Sequence, residues 1–298
     1  MRKRILSLIL AVIFVFGSIV AEPGFARAAA RMTDDQWKQS LTGSAGVLEG
    51  KSVIISIFIS DKNTSWSAKA KKKANRKVKA AGTYIKSQAK KYGKQAELIT
   101  DIYKYEDICY SYETKMKLTD SDRSQNNLYV KVSRFIDKKI DLTAIREKYD
   151  TDSIGFLLHI NKSGVSSTLV HYVEDGSENF YECSSLFSKY EGQAEGASTY
   201  AHEILHLFGA RDLYEKCLTD RITSSFVKYV ERKFPNDIMY STYTMSGKQL
   251  LYRIKNDISR VTAYFLGWKK SIPEKKKYAL PAMEYKGCFT DGTSLENK

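Results

Sequence analysis

Thr199-Tyr200-Ala201-His202-Glu203-Ile204-Leu205-His206-Leu207-Phe208-Gly209-Ala210-Arg211-Asp212-Leu213-Tyr214 is the stretch around which the chain is organised. On a helix with about 3.6 residues per turn, His202 and His206 lie one above the other on one face, so both imidazoles reach one metal ion. Glu203 stands beside them, placed to accept a proton from a water on that ion. Gly209 can take the left-handed conformation that ends a helix, which lets the chain double back and carry Asp212 toward the same ion. Two nitrogens and one oxygen, with a fourth position open, are the donor set of a catalytic rather than a structural zinc. Glu215, one helical turn further on, is the rival third ligand. Arg211 is a candidate donor to the ligands, although an ordinary exposed arginine is the simpler reading.

The run from His202 to Asp212 is similar to the extended zinc-binding signature of the metzincin metallopeptidases, in which two helix histidines, a glycine and a third ligand follow at this spacing. The third ligand there is usually histidine. Asp212 departs from that pattern in the direction of the secreted bacterial peptidases of the snapalysin type, which carry aspartate at this position. The resemblance implies an α+β fold: a twisted mixed β-sheet with two helices in the N-terminal half, then a zinc-binding helix, a methionine turn and a C-terminal helix. Met239, in Asn236-Asp237-Ile238-Met239-Tyr240-Ser241, looks like the methionine of that turn. Tyr240 and Tyr243 are candidates for the oxyanion-stabilising tyrosine of some branches, though neither stands two residues after Met239, where those branches place it.

Of the 298 residues, the first thirty read as a leader: Arg2, Lys3 and Arg4, the apolar run from Ile5 to Val20, then small residues through Ala30. That order is a secretory signal peptide, assigned to residues 1 to 28. An arm (29 to 50), a catalytic domain (51 to 270) and a basic tail (271 to 298) complete the division. Removing the leader takes four basic residues and one acid from totals of 48 and 34, leaving 44 against 33, or +11. This charge suits attraction to anionic cell-surface polymers in a secreted protein. The scattered lysines read more simply as solvated surface, and no aromatic-interleaved nucleic-acid module occurs. No later stretch is apolar enough to span a membrane. Cys109, Cys183, Cys217 and Cys288 permit two disulfides or four free thiols.

Val53 to Ser60 is a short, nearly continuous apolar run, expected as a central strand covered on both faces. Apolar residues at helical spacing predict one long helix from about Ser67 to Tyr92. Further strands are expected at Glu97 to Tyr103 and Asn179 to Cys183, and a helix at Leu142 to Tyr149. Ile154 to Ile160 and Ser167 to Val173, joined by Asn161-Lys162-Ser163-Gly164, read as a hairpin. In the fold the resemblance implies, its second strand is the free edge that would hold an extended peptide substrate, and His171 on it is a cleft candidate, although packing or exposure is the simpler role for His159 and His171. Helices are expected from Thr219 to Phe234 and from about Leu251 to Gly267.

The chemistry these residues point to is a secreted zinc endopeptidase acting on extracellular proteins or peptides, with one Zn²⁺ on His202, His206 and Asp212 and Glu203 as general base. A zinc amidase acting on cell-wall peptide, and a non-catalytic binding protein with the same fold, are the two alternatives.

Overall fold

The apolar run at Val53 becomes the long first strand of a seven-stranded sheet. The computed structural model describes Gly43 and residues 45 to 168, 181 to 217 and 222 to 281. The leader, the expected edge residues 169 to 173 with His171, and Cys288 lie outside the described residues. The elements, in order, are β1 (Gly50–Ser60), α1 (Ala68–Lys91), β2 (Ala96–Ile99), a 3₁₀ turn (Glu106–Ile108), β3 (Cys109–Glu113), α2 (Asp122–Lys139), α3 (Leu142–Tyr149), β4 (Ile154–Ser163), β5 (Ser167–Thr168), β6 (Cys183–Tyr190), β7 (Gln193–Ala194), α4 (Ala197–His206), α5 (Ser224–Lys233), α6 (Arg260–Phe265) and α7 (Pro273–Lys277).

The sheet runs β2-β1-β4-β6-β5, with β3 also on β1 and β7 also on β6. Strands β1 to β4 and β6 are parallel, whereas β5 and β7 run antiparallel to β6. The architecture is thus mixed α and β around a mostly parallel sheet. Alternate residues of β1 serve two cores, as the pleat requires. Ile54 joins Leu157, Leu186 and the apolar faces of α1 and α4. Val53, Ile55, Ile57 and Ile59 join Leu128, Val132 and Ile136 of α2 and Ile145 of α3. Burial on both faces is why the only polar residues in the covered part of β1 are the small serines Ser52 and Ser56.

Local chemistry sets most boundaries. Ser67 caps α1 by accepting from the Ala70 amide at 3.2 Å, and Lys90 and Lys91 complement its C-terminal end. Asp141 caps α3 in the same way, accepting from Ala144 at 2.9 Å. The arm's described end packs into the core: Ala45 and Leu48 are fully buried, and Trp268 donates its ring N–H to the Leu48 carbonyl at 2.8 Å. A Cβ on Gly43 would stand 2.0 Å from the Leu207 carbonyl oxygen, so only glycine fits against the end of α4. The start of the tail is also anchored, with Ile272 and Leu280 in the core and Glu274 paired to Arg260 at 2.6 Å.

Four expectations are corrected. The hairpin does not form: β6 separates β4 from β5, and β4 pairs in parallel with β1 on one side and β6 on the other. Phe156, Leu157 and Leu158 are buried in succession, and such a strand takes the interior of the sheet, leaving the short polar β5 at the edge. The strand expected at Asn179 to Cys183 lies elsewhere among the described residues: β6 begins at Cys183 and runs to Tyr190. Among the described residues three α-helices, not two, precede β4, because α2 forms behind the Ser121 cap in a stretch whose apolar positions are diluted by charge. The helix expected from Leu251 is confined to α6, Arg260–Phe265. Asn256 donates to the Ser241 and Tyr243 carbonyls and Ser259 caps Val261, so these side chains hold the preceding segment in loop form. Among the described residues no helix is long and apolar enough to cross a membrane, and Cys109 and Cys183 are free thiols.

Asp61, at the end of β1, ties the sheet to the loop before α2. Its carboxylate is fully buried and accepts from Lys162, from the Leu118 amide at 2.9 Å and from Thr64 at 2.7 Å. Burial works against the charge, but the Lys162 ammonium and these donors hold the carboxyl well below its ordinary range. Asp61→Ala is expected to cost about 3 kcal/mol in urea unfolding, because it leaves Lys162 without its acid. The lowered folded value means that this contribution is complete above about pH 4 and is lost as pH falls through it. The gap between wild type and Asp61→Asn should therefore narrow on acidification.

Candidate metal centre

Helix α4 delivers His202, Glu203 and His206 from the middle of the core, where His202 and Glu203 are 6 % and 4 % exposed. It ends where the sequence places its stop. Gly209 has φ of 92°, its amide bonds the His206 carbonyl at 2.8 Å, and Ala210 bonds Leu205 at 3.1 Å. The reversal carries Asp212 back to the histidines: its Oδ1 lies 3.1 Å from His202 Nε2 and 3.3 Å from His206 Nε2, and the two Nε2 atoms are 3.2 Å apart.

The other ring nitrogens fix which atoms face inward. His202 Nδ1 sits 2.9 Å from the Ile238 carbonyl and His206 Nδ1 2.9 Å from the Ala210 carbonyl. A carbonyl only accepts, so each Nδ1 carries the proton and each neutral ring turns an Nε2 lone pair to the centre. Three acceptor atoms then converge with no hydrogen between them, and buried Asp212 Oδ1 has no hydrogen-bond donor. The arrangement calls for a cation. His202, His206 and Asp212 form a group able to hold a metal ion. Without one, a proton is the substitute. Burial opposes the imidazolium, but the Asp212 carboxylate outweighs it and pushes His206 up to about 9. His202 is raised against the same burial by its contact with Asp212, while the two imidazoles hold Asp212 well below the usual carboxylate range despite its burial.

Glu203 is outside this group. Burial raises its pKa, the neighbouring histidines and the Thr168 hydroxyl work against the rise, and Asp212 adds to it. Glu215 is not in the group either. Burial and the Asp212 charge raise its pKa, and Asp212 is the carboxylate grouped with the two imidazoles. Arg211 is buried at 3 % exposure, which corrects the reading of it as an exposed surface residue.

Met239 is fully buried in the core shared with α4. Its segment brackets the ligands: Ile238 supplies the carbonyl to His202, and the Met239 carbonyl accepts from the Leu213 amide, next to Asp212, at 2.9 Å. Asp237 secures the bracket by accepting from the Met239 amide at 2.7 Å and from the Ser259 amide and Thr262 hydroxyl at 2.8 Å. Burial and Glu231 raise the Tyr240 pKa; burial, Glu195 and Tyr190 raise that of Tyr243. His159 is a core residue, stacked on Phe58 at 4.6 Å and bonded to Ser56 at 3.0 Å.

The nearest polar neighbours of the set are ones that sequence reasoning missed. Tyr214, 42 % exposed, places its ring 6.4 Å from that of His202 and its hydroxyl against Asp212. Burial raises its pKa first, and the Asp212, Glu215 and Glu203 charges raise it further, so it remains a neutral proton donor. Its position two residues after Asp212 was the available signal. Thr168 of β5 donates to Glu203 Oε2 at 2.8 Å, and Ser184 of β6 to the Glu203 carbonyl at 3.0 Å. No protein-family model matches the chain, and a search of curated proteins returns no match.

Proposed function

We propose that this protein is an exported zinc-dependent endopeptidase of metzincin-like type, acting on proteins or peptides. The observation that carries the reading is the convergence of His202 Nε2, His206 Nε2 and Asp212 Oδ1 within 3.3 Å, next to a buried carboxylate that takes no part in it. A purely structural site needs no such carboxylate beside it. Two imidazoles and a carboxylate suit zinc with an open position. When bound, zinc supplies a polarised carbonyl and a water that ionises near neutral pH. Further support comes from Met239 beneath the helix and from β5, an antiparallel edge strand beside α4. The N-terminal leader supports export, and the basic surface suits anionic cell-surface polymers.

The chain's own residues then have distinct tasks. Glu203, whose pKa burial raises, takes the proton from the attacking water and returns it to the leaving amine. Tyr214, neutral and partly exposed, turns its one hydroxyl proton from Asp212 to the carbonyl oxygen as charge develops there. The outer edge of β5 offers backbone groups to an extended substrate.

Digestion of a peptide library by the purified, zinc-loaded protein, with new termini read by mass spectrometry, tests this reading. Cleavage that stops on chelation and returns with zinc is expected; an intact library overturns it. Tyr214→Phe should lower kcat by about 10²-fold, the order seen when one oxyanion donor is removed, while zinc content stays at one per chain. Wild-type turnover in that variant would remove Tyr214 from the mechanism.

A further inference from the structure

We propose that Thr168 is a positioning residue for Glu203, a role that rests on the reading of Glu203 as general base. The register of β5 on β6 pairs Thr168 with Ser184, and both side chains point at α4. Four short contacts join the three residues. Thr168 Oγ1 lies 2.8 Å from Glu203 Oε2, 3.1 Å from the Glu203 carbonyl and 2.7 Å from Ser184 Oγ, while Ser184 Oγ lies 3.0 Å from that same carbonyl.

Two hydroxyl protons serve these four contacts. The carboxylate and carbonyl oxygens both only accept, and the Thr168 proton goes to Oε2, which is charged and makes the shorter of its two contacts with Glu203. The Ser184 proton is left to the carbonyl and to Thr168 Oγ1, which orients Thr168 as a donor toward the acid. The carbonyl is open to this because α4 tightens at its end: the Leu207 amide bonds Ile204 at 3.1 Å instead of reaching back to Glu203. The helix end and the edge strand are thereby joined through one residue, and the carboxylate is held in one orientation. Oε2 is occupied, and Oε1 is the carboxylate oxygen with no protein donor among the described residues. One oxygen serves as anchor and the other as acceptor of the substrate water's proton.

The anchoring hydroxyl is testable because valine has nearly the same shape without it and serine keeps it without the methyl group. With zinc-loaded protein, Thr168→Val should lower kcat by about 10- to 100-fold, the cost of a misplaced catalytic group, with KM changed less than about twofold. Thr168→Ser should stay within about threefold of wild type on the same scale. Crystal structures give the readout independent of turnover: Glu203 in one rotamer in wild type and Thr168→Ser, and displaced or in several rotamers in Thr168→Val. Thr168→Ala carries the same comparison if the valine variant does not fold. Full turnover in the valine variant, an unmoved Glu203, or a serine variant as slow as the valine one would overturn the proposal. Glu203→Ala run alongside separates the two ideas. Loss there with none in Thr168→Val removes only the anchor, whereas no loss in Glu203→Ala removes the general base itself.

Discussion

Glu203→Ala is expected to lower kcat by about 10²- to 10⁴-fold, the usual contribution of a general base, while the protein keeps its zinc and its fold. The expectation of an intact metal centre follows from the geometry. His202 and His206 are oriented by the Ile238 and Ala210 carbonyls, and Asp212 by the turn after Gly209, so none of the three depends on Glu203. The fold should tolerate the change because Thr168 and Ser184 both retain the Glu203 backbone carbonyl as an acceptor when the carboxylate is gone. Truncation also removes a carboxyl whose raised pKa reflects an unfavourable burial, which offsets part of the packing lost. Zinc content, melting temperature and peptide turnover measured on one preparation decide the matter. Unchanged turnover would leave the metal a binding role. Lost zinc would mean that Glu203 is itself part of the ligand set.

The parts of this site that could be read in the sequence are those whose geometry is local. His202, Glu203 and His206 share one helix, and Gly209 reverses the chain within three residues, so the positions of all but Asp212 follow from helical periodicity and one left-handed glycine. Asp212 against Glu215 needed the actual path of the loop, because each lies within reach of the ion along a flexible chain. Thr168 and Ser184 stand 35 and 19 residues from Glu203 and reach it only through the pairing of β5 on β6. That register is fixed by which strands occupy the interior of the sheet, and the turn residues Asn161 to Gly164 signalled a turn without signalling its partner strand. The same limit applies to the fold. The apolar run of β1 and the amphipathic α1 announced themselves, whereas α2 and the loop before α6 depend on capping, on the Asn256 side chain bonded to the Ser241 carbonyl and on the Asp257 carboxylate, which accepts from the Asn236 side chain. Lys162 looked like a turn residue and became, with Asp61, a buried pair.

Asp212→Ala is expected to abolish the stabilisation that zinc gives the wild-type protein, and Glu215→Ala to leave it intact. A ligand that binds only the folded state stabilises it by RT ln(1 + [L]/Kd), about 2.7 kcal/mol at a hundredfold excess over Kd, so the wild-type melting temperature should climb with free zinc. Removing Asp212 takes away one of three protein ligands and the only negative charge among them, leaving two neutral imidazoles to hold a divalent cation. Without zinc, the same variant also loses the carboxylate that raises the His206 pKa to about 9. Its melting curve should therefore be insensitive both to chelator and to added zinc. Glu215 touches the centre only through its charge near Asp212, so its truncation should retain the zinc-dependent rise and near-normal turnover. Asp212→His, which restores the ligand type commoner in the family resembled, should recover the rise that alanine loses. Melting curves of the three variants across a zinc titration discriminate sharply: a rise that survives in Asp212→Ala and vanishes in Glu215→Ala would move the third ligand to Glu215 and require the turn after Gly209 to follow another path.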